Sequence, residues 1–183
     1  MKRKLLILSV LAICIATLAA GTLAYFTSEG TAHNVITTGG VEITVREWAD
    51  EDRQTPFEDL TGITPGMTVT KIAEIKNTGA SDAWVRVKVE KSIQLQGEGT
   101  PDTGLVELAL NTTDWTGRDG YYYYNKALKP GEVTAPIFTA VTFNAAMGNE
   151  YQNAAATVDV FAQAVQTANN GDTVLNAQGW PKP

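Results

Sequence analysis

Along Trp84-Val85-Arg86-Val87-Lys88-Val89-Glu90 the valines fall on one side of an extended chain, and Trp84, Arg86, Lys88 and Glu90 fall on the other. A period of two carried by β-branched residues marks a strand with one buried face. The same alternation predicts a strand over Val41-Glu42-Ile43-Thr44-Val45 and another from Ala156 to Gln166. In the latter Val158, Val160, Ala162 and Ala164 share a face, and Thr157, Asp159, Phe161 and Gln163 share the opposite one. The alanines between Ala154 and Ala168 would also suit a helix, but Thr157, Val158, Val160 and Val165 and the alternation itself favour a strand. Val69 to Lys76, Tyr121 to Asn125 and Pro136 to Phe143 read as further strands. Leu105 to Leu110 reads as a short helix or a strand, ended by Asn111-Thr112-Thr113.

Turn chemistry separates these runs. Ile63-Thr64-Pro65-Gly66-Met67-Thr68-Val69 and Leu128-Lys129-Pro130-Gly131-Glu132-Val133-Thr134 each place Pro-Gly just before a strand. Proline presets φ at the second position of a type II turn, and glycine supplies the positive φ required at the third. Asn77-Thr78-Gly79-Ala80-Ser81-Asp82 is a second kind of turn cluster, while Glu98 to Gly104 and the tail from Asn169 onward read as loops. Short strands at this spacing, with no long amphipathic helix among them, predict an all-β sandwich or barrel.

The front of the chain has a different pattern. Met1-Lys2-Arg3-Lys4 is basic, Leu5 to Ala20 is nearly all apolar, and small residues surround Thr22-Leu23-Ala24. That three-part order is the form of a secretory signal peptide, with Thr22, Ala24 and Tyr25 marking cleavage after Ala24. A retained transmembrane anchor is the alternative, at the short end of what a bilayer needs. Cleavage would remove Lys2, Arg3 and Lys4 and no acidic residue, taking the formal charge from −6 to −9 over 159 residues. It would also remove Cys14, the only cysteine, leaving neither thiolate nor disulfide. An acidic exported domain without a basic stripe argues against nucleic acid as partner.

Catalytic parts are scarce. His33 is the only histidine, so a serine or cysteine triad would have to be built on it, and a zinc hydrolase would lack ligands. No enzymatic activity is expected. Carboxylates gather at Asp50-Glu51-Asp52, Glu58-Asp59 and Asp114 to Asp119, and solvated loops are their plain reading. A glycosidase pair or calcium are the functional alternatives, but neither stretch has the twelve-residue calcium-loop spacing, so no cofactor is expected. Tyr121-Tyr122-Tyr123-Tyr124 would point two rings to each face of a strand, one pair inward and the other a candidate partner or carbohydrate surface. Asn111-Thr112-Thr113 has the form of a glycosylation acceptor.

Taken together, these residues resemble the TasA/camelysin family, exported proteins of Gram-positive bacteria processed by the dedicated signal peptidase SipW. The resemblance rests on Gly21-Thr22-Leu23-Ala24 followed by Tyr25-Phe26-Thr27, on Thr38-Gly39-Gly40-Val41-Glu42-Ile43, and on Ile63-Thr64-Pro65-Gly66 followed by a strand and Lys76-Asn77-Thr78-Gly79. Tyr121 to Pro130, Phe138 to Phe143 and Val158 to Gln166 extend it over most of the chain. The chain is shorter than the family's biofilm fibre protein. The resemblance implies a jelly-roll-like antiparallel β-sandwich, residues 39–183, secreted to the cell surface or extracellular matrix behind a signal peptide, residues 1–24. It implies fibres in which residues 25–38 of one subunit, anchored by Tyr25, Phe26, Val35 and Ile36, complete the sandwich of the next. The partners would be other copies arranged head to tail, SipW, and cell wall or other matrix components. Strand donation into an exposed sheet edge is physically sound, and because the contact is heterologous it gives filaments rather than rings. Two other readings compete. One is a monomeric surface adhesin or carbohydrate-binding module using Trp115 or the outward tyrosines. The other is the metallopeptidase activity attached to camelysin, which the single histidine does not support.

Overall fold

The alternating runs become strands. The structure, a computed structural model, describes residues 35–37, 40–58, 64–151 and 154–181. In chain order the strands are β1 (Val35–Thr37), β2 (Ile43–Trp48), β3 (Thr68–Asn77), β4 (Ala83–Gln94), β5 (Val106–Leu110), β6 (Trp115–Arg118), β7 (Tyr121–Tyr124), β8 (Phe138–Phe143) and β9 (Ala155–Gln166). They form a five-stranded sheet in the order β1-β9-β4-β7-β6 and a four-stranded sheet in the order β2-β3-β8-β5. All pairings are antiparallel except that of β1 with β9.

The inner faces of both sheets meet in one core. Val85 and Val87 of β4 and Val160, Ala162 and Ala164 of β9 pack there with Ile43, Val45, Ala73 and Ile75 of the other sheet. The expected division of β9 into two faces is the observed one. The ambiguous stretch from Leu105 to Leu110 resolves into a 3-10 turn over Thr103–Leu105 and then β5. Asp102 starts that turn by accepting the Gly104 N–H.

Both Pro-Gly turns have the expected form. Met67 N–H donates to Thr64 O and Glu132 N–H to Lys129 O, with Gly66 at φ +80 and Gly131 at φ +81. The second turn is tied to the end of β3 through Asn77, which is fully buried. Its backbone N–H donates to Glu132 O and its carbonyl accepts from Gly131 N–H. Its side-chain Nδ2 donates to Ser81 O and Leu128 O at 2.8 Å each, and its Oδ1 accepts from Gly79 N–H. One amide thus joins the end of β3, the turn into β4 and the segment after β7. At Gly79 a Cβ would lie 2.7 Å from the Glu42 backbone nitrogen, so only glycine fits there.

In the four-stranded sheet β3 shifts register between Thr70 and Ala73, and Lys71 is buried. Its ammonium pairs with Glu47 Oε2 at 3.0 Å and lies 4.2 Å from the centre of the Phe57 ring. In the same sheet, Glu74 of β3 accepts Trp48 Nε1–H from β2 and Arg53 Nε–H from the loop after β2, both at 2.9 Å. The loop after β2 thereby folds back over its own strand.

Replacing Asn77 by alanine removes the bonds it donates to Ser81 O and Leu128 O and the one it accepts from Gly79 N–H, at a buried position. A loss of about 2–4 kcal/mol is expected in urea unfolding, against less than about 1 kcal/mol for exposed Thr44→Ala.

Candidate functional site

The most open feature among the described residues is one side of β9. All twelve residues of β9 pair with β4 on one side. On the other, β1 pairs with three of them only, in the register Val35↔Ala162, Ile36↔Gln163 and Thr37↔Ala164. No described strand lies beside Ala155–Phe161 on that side. The other sheet edges are short or covered. Along β2, Phe57 N–H donates to Glu47 O and Pro56 bridges to Trp48. At the remaining edges, β5 is five residues long and β6 four, the latter interrupted by Gly117. An uncovered strand edge presents unpaired backbone donors and acceptors, a template for an incoming strand.

β1 is held at this edge by three residue pairs of the parallel type, the less stable ladder. The chain then passes Gly40, at φ +76, to reach the other sheet, where Val41 and Ile43 are 4% and 3% exposed. Of the residues predicted to serve strand donation, Val35 and Ile36 lie in β1; they have a place beside β9 of their own chain, which the sequence alone does not suggest. Only five residues lie between Thr37 and Ile43, so β1 stays within reach of the neighbouring edge. Thr22, Ala24, Tyr25, Phe26 and His33 lie outside the described residues.

The acidic loops are built into the fold. Asp50 accepts the N–H groups of Gln54 and Thr55, and hydrogen bonding from Thr55 and Gln54 holds its carboxyl below the ordinary 3.8. Asp114 accepts from Lys126 Nζ at 2.9 Å and from the Asn111 side chain at 3.2 Å. Those two bonds lower its pKa, and the same contact raises that of Lys126. Asn111, the candidate glycan acceptor, also donates to Pro136 O. Among the described residues no three His, Cys, Asp or Glu side chains gather as a metal site. None of the described helices is long and apolar enough to cross a membrane.

Trp115 requires a correction. It is 2% exposed, its indole N–H donates to Ala135 O, and its ring centre lies 5.1 Å from that of Tyr124. It is a core residue and cannot meet a glycan. The stretch between Asp114 and Asp119 is likewise no loop but β6, joined to β7 by Asp119-Gly120 with both residues at positive φ. Asp-Gly between two extended runs is a strong hairpin signal, and it marks the strand that alternation misses.

The tyrosines divide as the period of two requires, but both pairs are packed. Tyr122 and Tyr124 join the main core. Tyr121 and Tyr123 face outward into a second cluster with Trp84, Val165, Val174 and Trp180. The tail from Asn169 onward, expected to be a plain loop, covers this face. Asn170 O accepts Trp84 Nε1–H, and the Asn170 side chain donates to Gln166 O and Gln178 O. Its one sequence signal is Trp180, a large aromatic ring in an otherwise polar tail.

Asp114 has a depressed pKa, so its contribution to stability is present above the ordinary 3.8 and is lost as pH falls through the lower folded value. Asp114→Asn is expected to lower the melting temperature at neutral pH, with the difference from wild type shrinking as pH falls below 3.8. A difference that stays constant down to acid would remove the ion pair as its cause.

No family model matches this chain, and neither does any curated protein or solved structure.

Proposed function

We propose that this chain is a secreted structural protein that polymerises into extracellular matrix fibres by exchanging its N-terminal strand, as its resemblance to the TasA/camelysin family implies. The observation that carries the reading is the pairing of β1: a three-residue parallel strand at the edge of a twelve-residue strand, with Ala155–Phe161 left without a described neighbour. Exchange of these pairs has a low cost, because the neighbour's β1 offers the same pairs that its own gives up. Carried back from Val35↔Ala162, the same register sets Ser28 of an incoming strand beside Ala155. An exchanged strand can therefore form backbone pairs along β9 beyond the three seen here. Removal of the leader after Ala24 by SipW would release that segment and start assembly.

The strand order supports the jelly-roll form of the reading. β1, β9, β4 and β7 in one sheet and β3, β8 and β5 in the other interleave early and late strands as a doubled Greek key does. Three strands depart from that scheme: β2 and β6 are added at the sheet edges, and β1 pairs with β9 in parallel.

Because Cys14 is the only cysteine, Val35→Cys with Ala162→Cys gives one engineered thiol pair in the chain from Tyr25 onward. Adjacent strand positions suit a disulfide. Oxidised filaments of the double variant should give a ladder of covalent oligomers on denaturing gels, while unassembled protein gives a closed monomer. Filaments yielding only monomer would show that β1 stays at home, and normal filaments from a chain lacking Tyr25 to Thr38 would sink the proposal.

A further inference from the structure

On the outward face of the five-stranded sheet Arg86 is enclosed without being neutralised. Its guanidinium carbon lies 4.0 Å from the centre of the Tyr121 ring, 4.6 Å from that of Trp180 and 5.9 Å from that of Tyr123. Nε donates to Gln163 Oε1 at 2.8 Å and Nη1 to the Tyr123 hydroxyl at 3.2 Å. Gln163 is itself buried, which fixes the acceptor. These bonds use two of the five N–H donors of the guanidinium and leave the rest to solvent. Among the described residues no carboxylate pairs with Arg86.

Two further cations share this face. Tyr121 stands opposite Arg118 in the β6–β7 register. Lys88 lies one step past the Val87↔Tyr122 pair, level with Tyr121. Their partners, Asp119 and Glu90, are 80% and 47% exposed at the side chain, so these ion pairs are weak and readily exchanged. Three cations thus surround Tyr121, and the one with no carboxylate is held in a fixed plane by aromatic rings. A planar guanidinium with fixed orientation is suited to a carboxylate, and half-buried rings on a sheet face suit the flat side of a sugar.

We propose that this face binds a carboxylated polysaccharide, with a uronate carboxylate on the free donors of Arg86, pyranose faces against Tyr121 and Trp180, and neighbouring carboxylates on Lys88 and Arg118. Charge complementarity is local. The chain as a whole carries −6, which repels a polyanion at long range. At physiological salt that repulsion is screened beyond about 8 Å, and the contacts of the patch decide. An acidic peptide would find the same cations here, but the β6 edge beside Arg118 is only four residues long and gives its backbone little to pair with.

The test is calorimetry of the purified, unassembled protein with polygalacturonate, neutral dextran and poly-glutamate at about 0.15 M salt, so the result does not depend on fibre formation. Binding to polygalacturonate is expected, with Arg86→Lys weakening it roughly tenfold or more by losing the fork. Arg118→Gln, at an exposed side chain, should weaken it by a smaller factor and keeps the test valid if the Arg86 variant loosens the tail. Absence of polygalacturonate binding, or binding unchanged in both variants, would overturn the site. Equal binding of dextran would reduce it to ring stacking, and equal binding of poly-glutamate would make it a site for acidic peptides; either result overturns the proposal.

Discussion

Twelve consecutive residue pairs, from Ala83↔Gln166 to Gln94↔Ala155, join β4 to β9, and nearly every other feature of the molecule is placed by that ladder. It fixes which valines and alanines of the two strands enter the core, because a slip of one residue would turn every side chain to the opposite face. It sets Arg86 beside Gln163 on the outer face and leaves the far side of β9 facing away from the sheet. The two strands lie far apart in the chain, so the ladder closes a long loop, and such non-local pairing makes β topologies slow to form.

The second constraint is the buried amide of Asn77. The first Pro-Gly turn, the turn after β3 and the second Pro-Gly turn would otherwise be independent surface loops. Asn77 connects the last two, and Gly66 N–H ties the first to Phe143 O at the end of β8. A buried polar side chain is tolerated only when its bonding capacity is used, and here the side chain makes three bonds. The Asn-Thr-Gly motif is therefore a structural joint, and its glycine leaves room for the Glu42 backbone to approach.

The chain also covers its own outer faces. The end of β2 and the loop after it lay Trp48 and Arg53 against Glu74, and the C-terminal tail lays Trp180 on Arg86 and Tyr123. Both devices use a large ring and a cation to shield a sheet face from water. They also explain why the edge of β9 stands out: among the described residues most other exposed backbone has a partner, and the stretch Ala155–Phe161 has no described strand beside it on that side.

Local pattern in the sequence was enough for most of the longer strands, the division of β4 and β9 into two faces, the two type II turns and the outward and inward tyrosine pairs. Each depends on the period of two or on φ restrictions at single residues, which act within a few positions. Four features needed the tertiary structure. Trp115 looked like a surface ring because β6 is only four residues long and carries Gly117, too little for alternation to show. The tail looked like a loop because its partners, Trp84 and Arg86, are more than eighty residues away in the chain. Nothing in the sequence pattern marks Lys71 as buried; the structure sets it against Glu47 beside a register shift in β3. Val35 and Ile36 looked homeless because the edge that receives them belongs to the last strand, and no local pattern records a contact between the two ends of a chain.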